Sequence, residues 1–192
     1  MNWLKISGVS GIIAPFIGFT LILLAIAYSP EFSWTENALS DLGVQKGVTA
    51  VLFNTGLIIT GVLAILFAAG LFTFVKANLL SRIGGFLFLL DAFALTAIGI
   101  FPENIEALHY YASVTFFALF PISMLVLGAA FLRTLKMKLG LFTVTAALVA
   151  AIVWTISFGK GVAIPETLSG LSASAWLIVL GSKMLKDEAS HN

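Results

Sequence analysis

Cysteine is absent from the 192 residues. That removes disulfides, thiolate nucleophiles, iron–sulfur ligation and cysteine-based zinc sites. Charge is scarce, with Asp, Glu, Lys and Arg together making 10% of the chain, where a soluble domain carries about a quarter. No basic cluster of the kind that grips nucleic acid is present, so nucleic acid is not an expected partner. Histidine occurs only at His109 and His191. No HxxxH or HExxH spacing can be written, so no metal site is assigned and no cofactor is named, although His109 with Asp41, Glu36 or Glu103 could supply a mixed site. A serine nucleophile elbow is missing as well.

What remains is apolar. Hydrophobic residues make 60% of the chain, and mean hydropathy is +1.09. Apolar runs of about 18 residues or more are long enough to cross a bilayer. Six such runs predict an all-α protein, a six-transmembrane-helix bundle forming one integral membrane domain over residues 1–192. The predicted spans are 7–29, 48–75, 83–100, 110–132, 139–158 and 167–182. The last is short, with Lys183 placed to snorkel to the interface. Ala25-Ile26-Ala27 resembles a signal-peptidase site, but the apolar run before it exceeds the usual signal length, so the first span is expected to stay.

An even number of spans puts both termini on one side. That side holds Lys5, Lys76, Arg82, Arg133, Lys136, Lys138, Lys183 and Lys186, against Lys46 and Lys160 on the other. The positive-inside rule then predicts a cell-membrane protein with both termini in the cytoplasm. Glu31, Glu36, Asp41, Glu103, Glu106 and Glu166 fall on the outer side. Trp3, Tyr28, Trp34, Tyr110, Tyr111 and Trp154 lie near span ends, where aromatic belts sit. Gly8, Gly11 and Gly18 in the first span and Ser169, Gly170, Ala173 and Ser174 in the sixth permit close helix approach. Such small-residue faces could also support a homo-oligomer. Pro15 and Pro121 are expected to kink the first and fourth spans.

Two outer loops concentrate the polar chemistry. In the first, Ser33 and Glu36 have capping-box spacing and Gly43 can end a helix, which predicts a short interfacial helix from Trp34 to Leu42. Asn37, Ser40 and Asp41 would share one face of it. In the second, Pro102 and Glu103 lead toward His109, with Glu106 one turn before and Ser113 one turn after. His109 is the histidine placed to act as base, acid or ligand. A Ser–His–Asp arrangement can be drawn from Ser40 or Ser113 with His109 and Asp41. The competing reading is a solvated polar face with an interfacial histidine bonding a loop.

Asp91 stands alone as an ionisable side chain inside the six spans. At about 1.5 Å per residue it lies roughly 13 Å below the outer end of its helix. A carboxyl group at that depth is costly without a partner, a cavity or a function. Thr20 and Asn54 lie at comparable depth and are its expected partners. The alternative is interhelical glue through a hydrogen bond to Asn54 or a carbonyl.

Ser40-Asp41-Leu42-Gly43 after the first span, Phe53-Asn54 in the second, Gly99-Ile100-Phe101-Pro102 ending the third, and His109 with Phe116-Phe117 in the fourth form a pattern. It resembles the prokaryotic membrane family called domain of unknown function 998. That family is similar to the FRAG/DRAM/SFK superfamily, whose members are associated with lipid-anchor remodelling, lipid asymmetry and autophagy regulation. The resemblance implies a six-helix bundle and makes Ser40, Asp41, Asn54, Pro102 and His109 the positions to test. Asp91 is not part of the pattern.

These observations support a protein that binds or modifies a membrane lipid at an extracytoplasmic polar site. His109 would be the base, Asp41 its orienting group and Ser40 a nucleophile, while Asn37, Asn54, Asp91 and Glu103 would contact substrate. One alternative is a small proton- or cation-coupled transporter using Asp91, with Glu36, Asp41 and Glu103 drawing cations to an outer mouth. The other is a non-catalytic scaffold.

Overall fold

A computed structural model describes residues 3–75, 78–134 and 136–189; Lys76 and His191, named above, lie outside the described residues. Among the described residues, six α-helices run α1 Trp3–Ala27, α2 Val48–Phe74, α3 Leu79–Ile100, α4 Glu106–Arg133, α5 Met137–Ile152 and α6 Ala163–Ala189. Among the same residues, two 3₁₀ helices, Leu39–Val44 and Val153–Thr155, lie in the α1–α2 loop (the first outer loop of the predicted topology) and after α5. All six spans are long and apolar enough to cross a membrane, α5 counting through Thr155.

Helices outrun the hydropathy-drawn spans at several ends. Asn78 caps α3 by accepting the Ser81 amide at 2.8 Å, so that helix starts four residues before Ile83. Glu106 opens α4, with its negative charge at the positive end of the helix dipole. Pro15 and Pro121 lie inside unbroken helices.

Consecutive helices pack as neighbours, and α6 returns to α1, closing the six into a ring. Lipid is as apolar as leucine, so close packing and small residues hold such a ring rather than hydrophobicity alone. Phe16, Val51, Phe86, Phe93 and Leu141 accordingly face outward, while Ala14, Ala68, Ala92 and Ala147 are buried. A Cβ on Gly8 would meet the Gly181 carbonyl at 2.9 Å, and one on Gly11 would press on Phe67. Those small residues of α1 are therefore used inside the ring.

Aromatic side chains fill the half of the ring nearer the termini. Phe67, Phe88 and Trp176 meet with ring centroids 5.3 to 5.7 Å apart, spacings suited to edge-to-face contact. The Trp176 indole donates to Thr143 at 3.1 Å. A second cluster around Leu42, Phe53, Leu57 and Ile98 lies toward the outer loops.

Candidate functional site

The α1–α2 loop folds down over the helix ends. Its short helix covers Leu39–Val44 in 3₁₀ form, starting five residues later than the Ser33–Glu36 spacing predicts. The Ser33 amide is instead bound by the Asn37 side chain at 2.9 Å, and residues 34–36 form a turn. Leu39 and Leu42 point into the bundle, whereas Trp34 is exposed. Backbone bonds from Gly161 to Thr35 (2.8 Å) and from Ala163 to Asn37 (2.9 Å) join this loop to the α5–α6 connection. Gly161 is required there, because a Cβ would strike the Asn37 backbone.

Asp41 is held by Asn37 Nδ2 at 2.7 Å and by the Ala38 amide at 3.1 Å, both reaching Oδ2. The Leu39 amide donates to Glu166 Oε2 at 2.6 Å. Glu103 arrives from the α3–α4 loop and lies beside Asp41 and Ser40. Partial burial, and then the neighbouring Asp41 carboxyl, push the Glu103 carboxyl above the ordinary glutamate value; His109 and Ser40 pull the other way. A protonated Glu103 can donate across this pair.

His109 is buried on the first turn of α4. Its Nδ1 lies 2.8 Å from the Phe101 carbonyl, which can only accept, so the proton is on Nδ1. In the neutral ring Nε2 is then the acceptor, and Ser113 Oγ lies 3.3 Å away. The serine beside His109 is thus Ser113, one helical turn on, while Ser40 lies beside Glu103. A base with an oriented ring and a hydroxyl at its free nitrogen is a general-base pair in outline.

Ser40, Glu103, His109, Ser113 and Glu166 line an open cleft of about 800 Å³, and Asp41 lies outside its lining. Ser40, Glu103, Glu106, His109, Tyr110 and Glu166 form its outer part. Val114, Phe117, Ala118, Pro121, Ala151 and Trp154 continue it down the groove between α4 and α5. The α4 contributors recur every three or four residues, as one face of a helix must. Phe117 and Trp154 meet across the groove with centroids 4.6 Å apart.

A narrower cavity of about 120 Å³ lies inside the ring. Ser40, Ser113, Phe117 and Glu166 belong to the walls of both spaces. Asp91 lines the inner cavity and is 2% exposed, and its Oδ1 has no hydrogen-bond partner. The expected partners are elsewhere: Thr20 faces outward, and Asn54 donates to the Gly43 carbonyl at 2.9 Å. Equal depth does not imply equal facing, since rotation about each helix axis decides it. Asn54 and Asn37 therefore shape the first loop and lie outside both linings. Glu166 is the residue that sequence reasoning missed; its place at the start of the sixth span was a signal, but its bond to Leu39 was not readable.

Among the described residues, no three of His, Asp and Glu gather closely enough to hold a metal ion. No curated protein and no solved structure matches the chain. A family model described as protein of unknown function, DUF998, matches residues 12–183, and the chain belongs to that family.

Proposed function

We propose that this protein resides in the cell membrane with both termini in the cytoplasm and binds a lipid at its outer end. The observation that carries the reading is the polarity gradient along the α4–α5 cleft, from Glu103 and His109 at the top to Pro121 below. A lipid has the same gradient. At about 800 Å³ the cleft is within the size range of ligand sites. Tyr110, Val114 and Ala118 along its rim are exposed on a membrane-spanning helix, so an acyl chain can enter sideways. The outer lining carries Glu103, Glu106 and Glu166 and no lysine or arginine. An amine- or hydroxyl-bearing headgroup suits that charge better than an unshielded phosphate.

Ser113 and His109 sit where the ester of such a lipid would lie, between the polar and apolar parts. That supports ester chemistry as the activity to assay, with His109 as base. Native mass spectrometry of the purified protein from mixed-lipid nanodiscs tests the binding. A retained lipid that is lost on Ala118→Trp, which fills the groove, and reduced by His109→Ala supports the reading. Equal lipid retention in wild type and both variants would refute it.

A further inference from the structure

The inner cavity differs in character from the cleft. Six phenylalanines, Phe19, Phe53, Phe88, Phe116, Phe117 and Phe120, contribute to its wall. Two carboxyl groups line it: Glu166, engaged by the Leu39 amide, and Asp91, which is buried and has an unpartnered Oδ1. Thr167, on the same wall, also has a buried hydroxyl without a partner. Other polar groups of the wall are committed: Thr60 bonds Gly56 at 2.7 Å, Ser174 bonds Gly170 at 2.7 Å, and Ser113 faces His109. Two of the four unpartnered buried side-chain atoms in the described residues thus line this one space.

An unsatisfied buried polar atom costs roughly 1–3 kcal/mol, so its persistence asks for a ligand, water or strain to explain it. Two physical features narrow the ligand. Aromatic faces attract a cation through their quadrupoles. A carboxylate in an apolar enclosure is best compensated by a single opposite charge that donates a hydrogen bond. Neither lysine nor arginine lines the cavity, so the chain itself does not supply that charge. The volume of about 120 Å³ is close to that of cavities of about 150 Å³ that accept benzene.

The geometry points to a binding site for a small apolar amine inside the helix ring, with Asp91 pairing the ammonium and the phenylalanines surrounding its hydrocarbon part. Glu166 and Ser40, shared with the outer cleft, place the approach on the acidic outer side. This cavity shares part of its wall with the proposed lipid groove, but amine binding at Asp91 does not require a lipid there.

Fluorine-labelled benzylamine, followed by fluorine NMR against the purified protein in nanodiscs with empty nanodiscs as baseline, tests the inference. Equally labelled benzyl alcohol is the neutral control of the same shape. Saturable binding of the amine, about tenfold or more tighter than the alcohol, is expected; tenfold corresponds to about 1.4 kcal/mol. Asp91→Asn should erase that preference while leaving alcohol binding unchanged. Ala173→Leu, which adds bulk to the cavity wall and keeps the carboxyl in the sequence, should exclude both. The wild-type comparison needs no variant to fold. Equal binding of amine and alcohol, an amine preference that survives Asp91→Asn, or no saturable binding of either would each overturn the assignment.

Discussion

The backbone amide of Leu39 donates to the Glu166 carboxylate at 2.6 Å, although the two residues are 127 positions apart. This bond ties the cap of the first outer loop to the start of the last helix. Glu166→Ala removes the acceptor and leaves a buried amide unpaired, which costs about 1–3 kcal/mol. Thermal melting in detergent should fall accordingly, and amide exchange over residues 38–44 should accelerate. Glu166→Gln keeps an acceptor oxygen and should retain most of the protection. Unchanged exchange in Glu166→Ala would show that the loop is held by the Gly161 and Ala163 backbone bonds instead.

Packing between α2 and α3 depends on Gly61. A Cβ there would lie 2.7 Å from the Thr96 amide nitrogen and 2.9 Å from its Cα, both backbone atoms that cannot swing aside. Gly61→Ala should therefore destabilise the bundle by about 1–3 kcal/mol, as overpacking does. Gly47 makes the contrast: nothing lies within 4 Å of its Cβ position, but its φ is +78°. Its alanine variant should lose stability through backbone strain of roughly 1–3 kcal/mol, without any contact at fault. Melting of the two variants, each paired with a serine substitution of the same site, distinguishes crowding from strain: crowding worsens with size at Gly61 and stays level at Gly47.

Much of this architecture was readable because hydropathy reports transfer into lipid, and transfer is what makes a helix span. Helix ends were less so, because they are set by hydrogen bonds such as Asn78 to Ser81, which hydropathy does not weigh. The polar loops were identifiable as the place where Ser40, Asp41, Glu103 and His109 could meet. Their partners were not. Asn37 was expected on a continuous helical face with Asp41; it does bond Asp41, but across a turn into a 3₁₀ helix. Counting along α3 does not find the neighbours of Asp91, since Thr20 faces outward and Asn54 is held by Gly43. Depth follows from counting along a helix, whereas facing follows from how six helices rotate against one another, which one sequence does not encode visibly.

Membrane orientation can be measured directly because the chain has no cysteine of its own. Glu31→Cys and Lys138→Cys each introduce one exposed thiol, at opposite ends of the bundle. A membrane-impermeant maleimide added to intact cells should label the first and leave the second unlabelled until the cells are opened. The reverse pattern would place the acidic loops in the cytoplasm, contrary to the distribution of lysine and arginine. The α4–α5 cleft would then face the inner leaflet, and the lipid proposed to bind it should be sought there.

Glu103 gives the site a pH dependence of definite sign. Burial and the Asp41 carboxyl hold its proton more tightly in the folded protein than the ordinary glutamate value of 4.5. A group whose folded value is raised stabilises the fold fully below its unfolded value and loses that contribution as pH rises through the folded value. Wild type should therefore lose melting temperature relative to Glu103→Gln as pH climbs from 4.5, because the amide cannot ionise. The difference between the two curves is the quantity to read, since the other carboxylates titrate in both proteins. Asp41→Asn removes the like charge and should shift the midpoint of that difference downward. Parallel curves for wild type and Glu103→Gln would mean that Glu103 ionises in the fold as it does in water, and that the carboxyl pair is too well solvated to share a proton.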